Sequence, residues 1–332
     1  GLGGLFAEYA DAAAIEPRAF AAGVKGVIFM SSRPKNLVYR HNASRNLDNE
    51  HPLLVMEREH AMRALRLLRS GQSLEFTATI DVEAGAPYRS RNVIAEIPGT
   101  TRPDEIVLFG AHLDSHDLGT GALDNGVNCA MLINIARQIS RLGLRPERTI
   151  RIALWNGEEQ GLVGSWKYAD QHADELDNHV VAASFDIGSG RTSGFFTGGR
   201  PGLPPLIDEY LAPVAGLGPF QHADVPIVGT DNYDFMIQGV PNIVAIQADA
   251  NYASNYHAES DTFDKVDQQQ VRLNSAIAAA VLWGFANDKR RLPRQTRQEI
   301  VDLIESTDLE QQMRNFAVWD GWVEGTRGRN GE

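Results

Sequence analysis

The feature that most restricts what this chain can become is an unbroken apolar run, Ile106-Val107-Leu108-Phe109, leading through Gly110-Ala111 into His112-Leu113-Asp114. Such a run reads as a strand buried on both faces, as in a parallel sheet covered by helices. In open α/β sheets, ligands bind outside the carboxyl ends of the strands, so His112 and Asp114 fall where chemistry is expected. Asp124 follows in Gly121-Ala122-Leu123-Asp124-Asn125-Gly126. Taken alone, His112 reads as a satisfied core histidine, the commoner fate of a histidine beside an apolar run. Its meaning depends on what ends the other strands.

The same arrangement recurs down the chain. The run IRIALW (150–155) leads into Asn156-Gly157-Glu158-Glu159. Neighbouring side chains on a strand point to opposite faces, so two adjacent glutamates share a site only where the chain turns, and Gly157 permits a turn. The run 180–185 closes on Asp186, and the apolar stretch 243–246 is followed after a short loop by Asn255-Tyr256-His257. A Glu-Glu pair by itself is usually a solvated acidic loop. Several strands that all end in His, Asp or Glu point instead to a divalent metal centre. Cys129 is the sole cysteine, which excludes an intrachain disulfide and a thiolate-rich site. The metal would therefore be held by imidazole and carboxylate, a set that suits zinc or a similar ion.

Strands expected at 92–97, 106–111, 149–155, 180–185 and 243–246 alternate with helices expected at 125–142, 203–214, 233–237 and 267–286. That order implies an α/β fold with a mixed, largely parallel sheet flanked by helices. Ahead of it, a helix at 11–24, strands at 27–30 and 53–55, a helix at 57–71 and an alternating strand at 74–82 read as a smaller α/β module over residues 1–85. Residues 86–292 form the main domain, and 293–332 a helical tail. With 332 residues and 43% hydrophobic content, a sizeable core is available. The net charge of −12 argues against nucleic acid, because phosphate binding needs clustered Lys and Arg. No apolar run approaches the roughly 20 residues that span a bilayer. The first residues lack the marks of a signal peptide, so upstream sequence is expected to be missing. Asn42-Ala43-Ser44 is a glycosylation sequon of a kind that arises often by chance. His41, His51, His60, His172, His179 and His222 have no ligand context and are expected at the surface.

The segments GAHLDSHDLGTGALDNG, GLRPERTIRIALWNGEEQGLVGS, SFDIGSG, GTDNYDFMIQGVP and HAESDT, in that order, resemble the co-catalytic dizinc exopeptidases of the aminopeptidase family, nearest to its carboxypeptidase Q branch. The resemblance runs from about Asn92 to about Asp288, and residues 1–85 resemble the back part of a protease-associated domain. It implies two Zn2+ per chain. His112 and Glu159 would each serve one ion, Asp186 and His257 would complete the two sites, and Asp124 would bridge them. Glu158 would be the general base, acting on water held between the ions, and Asp114 would orient the His112 imidazole. A cis peptide between Asp124 and Asn125 is also implied. His116 departs from the branch, which carries a tryptophan there, and Ala258-Glu259 replaces a histidine-containing segment. Both departures bear on substrate preference.

Beside the metal motifs, Asp231, Tyr256 and His116 are candidates for binding substrate or steadying a developing oxyanion. The expected activity is release of amino acids from short peptides or dipeptides. Alternatives are a zinc aminoacyl cyclase or deacylase of the same fold, and a non-catalytic receptor or scaffold on a peptidase domain. No G-x-S-x-G elbow suggests a serine hydrolase. By resemblance, the setting would be extracellular, periplasmic or lysosomal. The surfaces expected to serve a homodimer are the small module and Trp319 with Trp322; intrachain packing is the commoner use of such residues.

Overall fold

A computed structural model of the chain describes residues 2–35, 37–38, 51–83 and 85–331. The sequon Asn42-Ala43-Ser44 and His41 lie outside the described residues. Helix α1 (Leu2–Ala21) leads to β1 (Val27–Met30), and β2 (Leu53–Met56) leads to α2 (Arg58–Arg69). β1 and β2 pair in parallel as a two-stranded sheet of their own. None of the residues of α2 is buried. The expected strand at 74–82 does not form: the segment has no ladder partner among the described residues, and Leu74, Phe76, Ile80 and Val82 are exposed, Val82 by 80%. Alternation of apolar and polar residues defines a face, but only a neighbouring strand satisfies the backbone.

The main sheet has six strands: β3 (Val93–Ile97), β4 (Arg102–His112), β5 (Arg148–Trp155), β6 (His179–Ser184), β7 (Thr192–Phe196) and β8 (Asn242–Gln247). Their order is β3-β5-β4-β6-β8-β7. β5, β4, β6 and β8 run parallel, and β3 and β7 close the two edges antiparallel. Helices α3 (Val127–Arg141), α4 (Val163–Gln171), α5 (Leu203–Leu211), α6 (Asn232–Ile237), α7 (Tyr252–Asn255) and α8 (Gln268–Asn287) follow the strands. The fold is thus mixed α/β with a mostly parallel central sheet flanked by helices. β7, α4 and α7 have no counterpart among the expected elements.

The two faces of β4 explain its unbroken apolar sequence. Val107 and Phe109 pack with Leu132 of α3 and Ile277 of α8 on one side, while Ile106 and Leu108 pack with Tyr168 of α4 and Phe235 of α6 on the other. The period of two is kept, but both faces are covered. At Gly110 a Cβ would lie 2.3 Å from Trp155 Nε1, so glycine is what lets the large indole fill the gap beside β4.

The tail continues the body of the molecule. Helices α9 (Arg297–Ser306), α10 (Leu309–Asn315) and α11 (Trp319–Val323) contribute Ile300, Ile304, Leu309, Met313 and Trp322 to a cluster with Tyr233, Met236 and Ile237 of α6. Thr296 and Glu299 form a reciprocal cap that starts α9. Arg327 donates from Nε and Nη2 to the two carboxylate oxygens of buried Asp234, each at 2.7 Å. Trp322 is therefore used within the chain.

His179 and His222 correct the expectation that they lie at the surface. His179 is buried, its Nδ1–H donating to the Glu175 carbonyl (3.0 Å) and its Nε2 accepting from the Tyr168 hydroxyl (2.9 Å). The His222 side chain is 5% exposed, with Nδ1 accepting from the Phe195 amide. Among the described residues no helix is long and apolar enough to cross a membrane.

Candidate metal centre

The parallel register brings the candidate ligands to one edge. His112 ends β4 and sits level with Trp155, the last residue of β5, three residues before Glu158. Asp186 follows β6 directly after Phe185, and His257 follows α7, itself placed after β8. Asp124 comes from the turn Ala122–Gly126 that opens α3. The main-chain N–H groups of Leu123 and Asp124 donate to the carboxylate of Asp261, at 2.6 and 3.0 Å. Asp261 thus fixes the turn, a role sequence reasoning missed. The peptide bond between Asp124 and Asn125 is cis, as the resemblance implies.

Asp124 divides its two oxygens between two histidines. Oδ1 lies 3.1 Å from His112 Nε2, and Oδ2 lies 3.3 Å from His257 Nε2. Asp186 Oδ1 stands 3.3 Å from the same His112 nitrogen, and Glu159 Oε2 stands 3.2 Å from the same His257 nitrogen. Two donor sets therefore share one carboxylate. His112 Nδ1–H donates to the main-chain carbonyl of Asp114 at 2.9 Å, which turns the Nε2 lone pair toward Asp124 and Asp186.

Asp114 serves this site differently from the expectation. Its carboxylate is 3.9 Å from His112 Nδ1, whose one hydrogen is already given to the Asp114 main-chain oxygen. The carboxylate instead accepts the amides of Glu158 (3.2 Å) and Glu159 (3.1 Å). Gly157, at φ +80°, supplies the turn that points both amides at one carboxylate. The consecutive glutamates are thereby held in place by backbone, leaving both side chains available.

Burial dominates the electrostatics. It pushes the Glu158 carboxyl well above the usual range; His112 opposes this, while Glu159, Asp186 and Asp231 add to it. Burial also raises Asp231, to about 8, against a smaller opposing pull from His112. Neither Asp231 oxygen has a hydrogen bond, since the nearby Ser165 hydroxyl is directed to Asp234 and Leu162. For Asp124, burial is outweighed by the neighbouring His112 and His257 imidazoles, which hold it well below the normal carboxylate value. For Glu159, burial and Asp124 are outweighed by His116 and His257, bringing it down to about 2.

This donor set fits divalent cations. Imidazole nitrogens face carboxylate oxygens, all of them lone-pair donors to a cation when the imidazoles are neutral and the carboxylates ionised, and Asp124 Oδ2 and Glu159 Oε1 are buried with no hydrogen bond. His112, Asp124 and Glu159, and separately His116, Glu159 and His257, each offer donor atoms within 4.8 Å of one another. A buried excess of carboxylate is tolerated when cations neutralise it.

The remaining candidates lie against the same cluster. His116 is buried and its ring packs on His257, centroids 3.8 Å apart. Tyr256 also stacks on that histidine, centroids 3.6 Å apart, and its main-chain oxygen accepts from Arg33 Nε. Sequence reasoning also missed Tyr252, whose hydroxyl lies 3.4 Å from Asp186 Oδ1. Its one signal was membership of the same short loop as Tyr256 and His257.

Residues 92–282 match the model of peptidase family M28. Human carboxypeptidase Q is 33% identical over 209 residues, covering 62% of this chain and 43% of that protein. The bovine carboxypeptidase Q is 30% identical over 243 residues, covering 73% of this chain and 51% of that protein. The chain spans about half the length of these relatives. Among solved structures, a peptidase M28 precursor from Shewanella amazonensis superposes with a TM-score of 0.70 at 31% identity, over 82% of this chain and 63% of that one. BSAP, a zinc aminopeptidase from Bacillus subtilis, superposes with a TM-score of 0.63 over 86% of this chain and 69% of that one; at 21% identity it speaks for the fold alone. The matched span contains all four strand ends and loops that bring His112, Asp124, Glu158, Glu159, Asp186 and His257 together, and by that match the chain belongs to peptidase family M28.

Proposed function

We propose that the chain is a zinc-dependent exopeptidase that hydrolyses short peptides or dipeptides, with two ions per chain. The observation carrying this reading is the division of the Asp124 oxygens between His112 and His257. His112, Asp124 and Asp186 would hold one ion, and Asp124, Glu159 and His257 the other. When bound, the ions supply Lewis acidity that polarises a peptide carbonyl and acidifies water. Glu158 takes the proton of the attacking water on its carboxylate and delivers it to the leaving amine nitrogen. Its burial among other carboxylates suits a group that has to accept and then release a proton. The Asp114 carboxylate holds the main chain of Glu158 and so keeps the base in position. Asp231 is assigned to the substrate's α-amino group, because a buried carboxylate without a hydrogen bond is matched by a cationic donor. Tyr256 lines the same centre as a further substrate contact.

The reading keeps three parts: residues 1–85 as a partial protease-associated module, 86–292 as the peptidase domain and 293–332 as the tail. An extracellular, periplasmic or lysosomal setting rests on resemblance to the family. A homodimer would use exposed apolar residues of the small module such as Ile28 and Met30.

Glu158→Gln tests the central assignment. Turnover of free dipeptides should fall by about 10²–10⁴ while bound metal, measured by elemental analysis, stays at the wild-type level. Undiminished turnover would remove Glu158 from the mechanism.

A further inference from the structure

His116 is the residue at this centre that the ligand set above leaves without a metal role. It lies four residues beyond His112, in the loop that follows β4, yet it is only 8% exposed. Its Nε2 is 2.9 Å from Glu159 Oε2, the same oxygen that stands 3.2 Å from His257 Nε2. That nitrogen is buried and makes no hydrogen bond. Three donor atoms thus converge from three separate loops. Donors at ~2.0–2.1 Å from a tetrahedral zinc stand about 3.4 Å from each other, close to the separations found here.

The loop that carries His116 is fastened to the loop that carries His257. Thr120 donates its amide (2.9 Å) and its hydroxyl (3.0 Å) to the main-chain oxygen of Asp261. At Gly119 a Cβ would come within 2.7 Å of the Ala258 carbonyl, so glycine is what allows the two loops to touch. His116, Asp124 and His257 border one small cavity between these loops. The imidazole is therefore brought to the centre by backbone contacts on both sides, in the manner of a preorganised ligand.

We infer that His116 is an additional protein ligand of the ion held by Glu159 and His257, coordinating through Nε2. This rests on the two-ion reading proposed above. The two ions then differ: one has Asp124, Glu159, His257 and His116 as donors, the other only Asp124, His112 and Asp186. A closed set of four side chains makes the first ion the more tightly held, and leaves the open coordination position for substrate on the second. The competing account is that His116 contributes only a flat ring stacked on His257, as any aromatic side chain would.

His116→Phe separates the two accounts, since it keeps a ring against His257 and removes the nitrogen. The whole chain is stripped with chelator and reloaded with Zn2+ or Co2+. Elemental analysis, competitive titration against a chelating dye and the hyperfine-shifted imidazole N–H resonances of the Co2+ form are then measured, with circular dichroism as the check on folding. We expect two ions in the wild-type chain and three shifted N–H signals. In His116→Phe, two signals should remain, and the tighter ion should weaken at least about 100-fold while the other changes little. A wild-type chain with two ions but only two shifted signals, or a folded variant with both affinities and both spectra unchanged, would overturn the His116 ligand and leave the two-ion reading standing. A wild-type chain that takes up no metal would sink both. If His116→Phe does not fold, His116→Trp also keeps a ring against His257 and offers no lone-pair nitrogen, and the same results count for and against.

Discussion

Residues 93–331 and residues 2–83 are built from the same kinds of element but are held by different physics. In the first, every residue of β5 and β6 is buried, and the tail is locked to α6 by a hydrophobic cluster and by the Arg327–Asp234 pair. In the second, among the described residues, β1 and β2 pair only with each other and have half-buried or exposed side chains, α2 has no fully buried residue, and an alternating stretch stays unpaired. An apolar pattern becomes stabilising only where a second layer covers it. The catalytic proposal depends on this difference, because ligands drawn from four loops converge only if the sheet beneath them does not yield.

The largest effect should come from the tail. Arg327→Ala leaves the Asp234 carboxylate buried without its partner and should lower unfolding free energy by about 3–5 kcal/mol, measured by urea denaturation. A loss under about 1 kcal/mol would mean that the tail is attached more loosely than the comparison holds.

A second effect is specific to pH. Burial pushes the His179 imidazole down to about 4, so the folded chain keeps it neutral where an unfolded chain would protonate it near pH 6.5. The unfolded state then binds more protons between those values. Stability is fully present above about pH 6.5 and falls as pH drops toward 4, by about 3 kcal/mol in all. In His179→Gln the melting temperature should decline less over that interval; an identical decline would show that other groups govern acid sensitivity.

The smallest effect belongs to residues 2–83. Val82→Ser, at a side chain 80% exposed, should change stability by less than about 0.5 kcal/mol. A loss above about 1.5 kcal/mol would place Val82 in a packed layer and erase the contrast.

The same contrast explains what could be read from the amino-acid order. Apolar runs closed by His112, Glu158-Glu159 and Asp186 are legible because strands buried on both faces are mostly apolar, and a polar exception inside one, such as Arg151 of β5, needs partners like Glu96 and Glu175. The alternating stretch 74–82 misled because alternation is local, whereas a ladder partner is not. β7 escaped notice for the converse reason: Thr-Ser-Gly-Phe-Phe is weak by itself and becomes a strand through antiparallel pairing with β8. The burial of His179 is not legible in the sequence because nothing local announces the Tyr168 hydroxyl and Glu175 carbonyl that satisfy it. Asp114 was legible as a support for the centre, but which groups it supports depends on the Gly157 turn. Asp261 and Tyr252 reach the site only through the tertiary fold.

Metal content in Asp124→Ala tests the account most directly. Elemental analysis of the folded, zinc-reloaded chain should give two ions per wild-type molecule and fewer than one in the variant, since both donor sets lose their shared carboxylate. Two ions retained in Asp124→Ala, or none in the wild type, would contradict it.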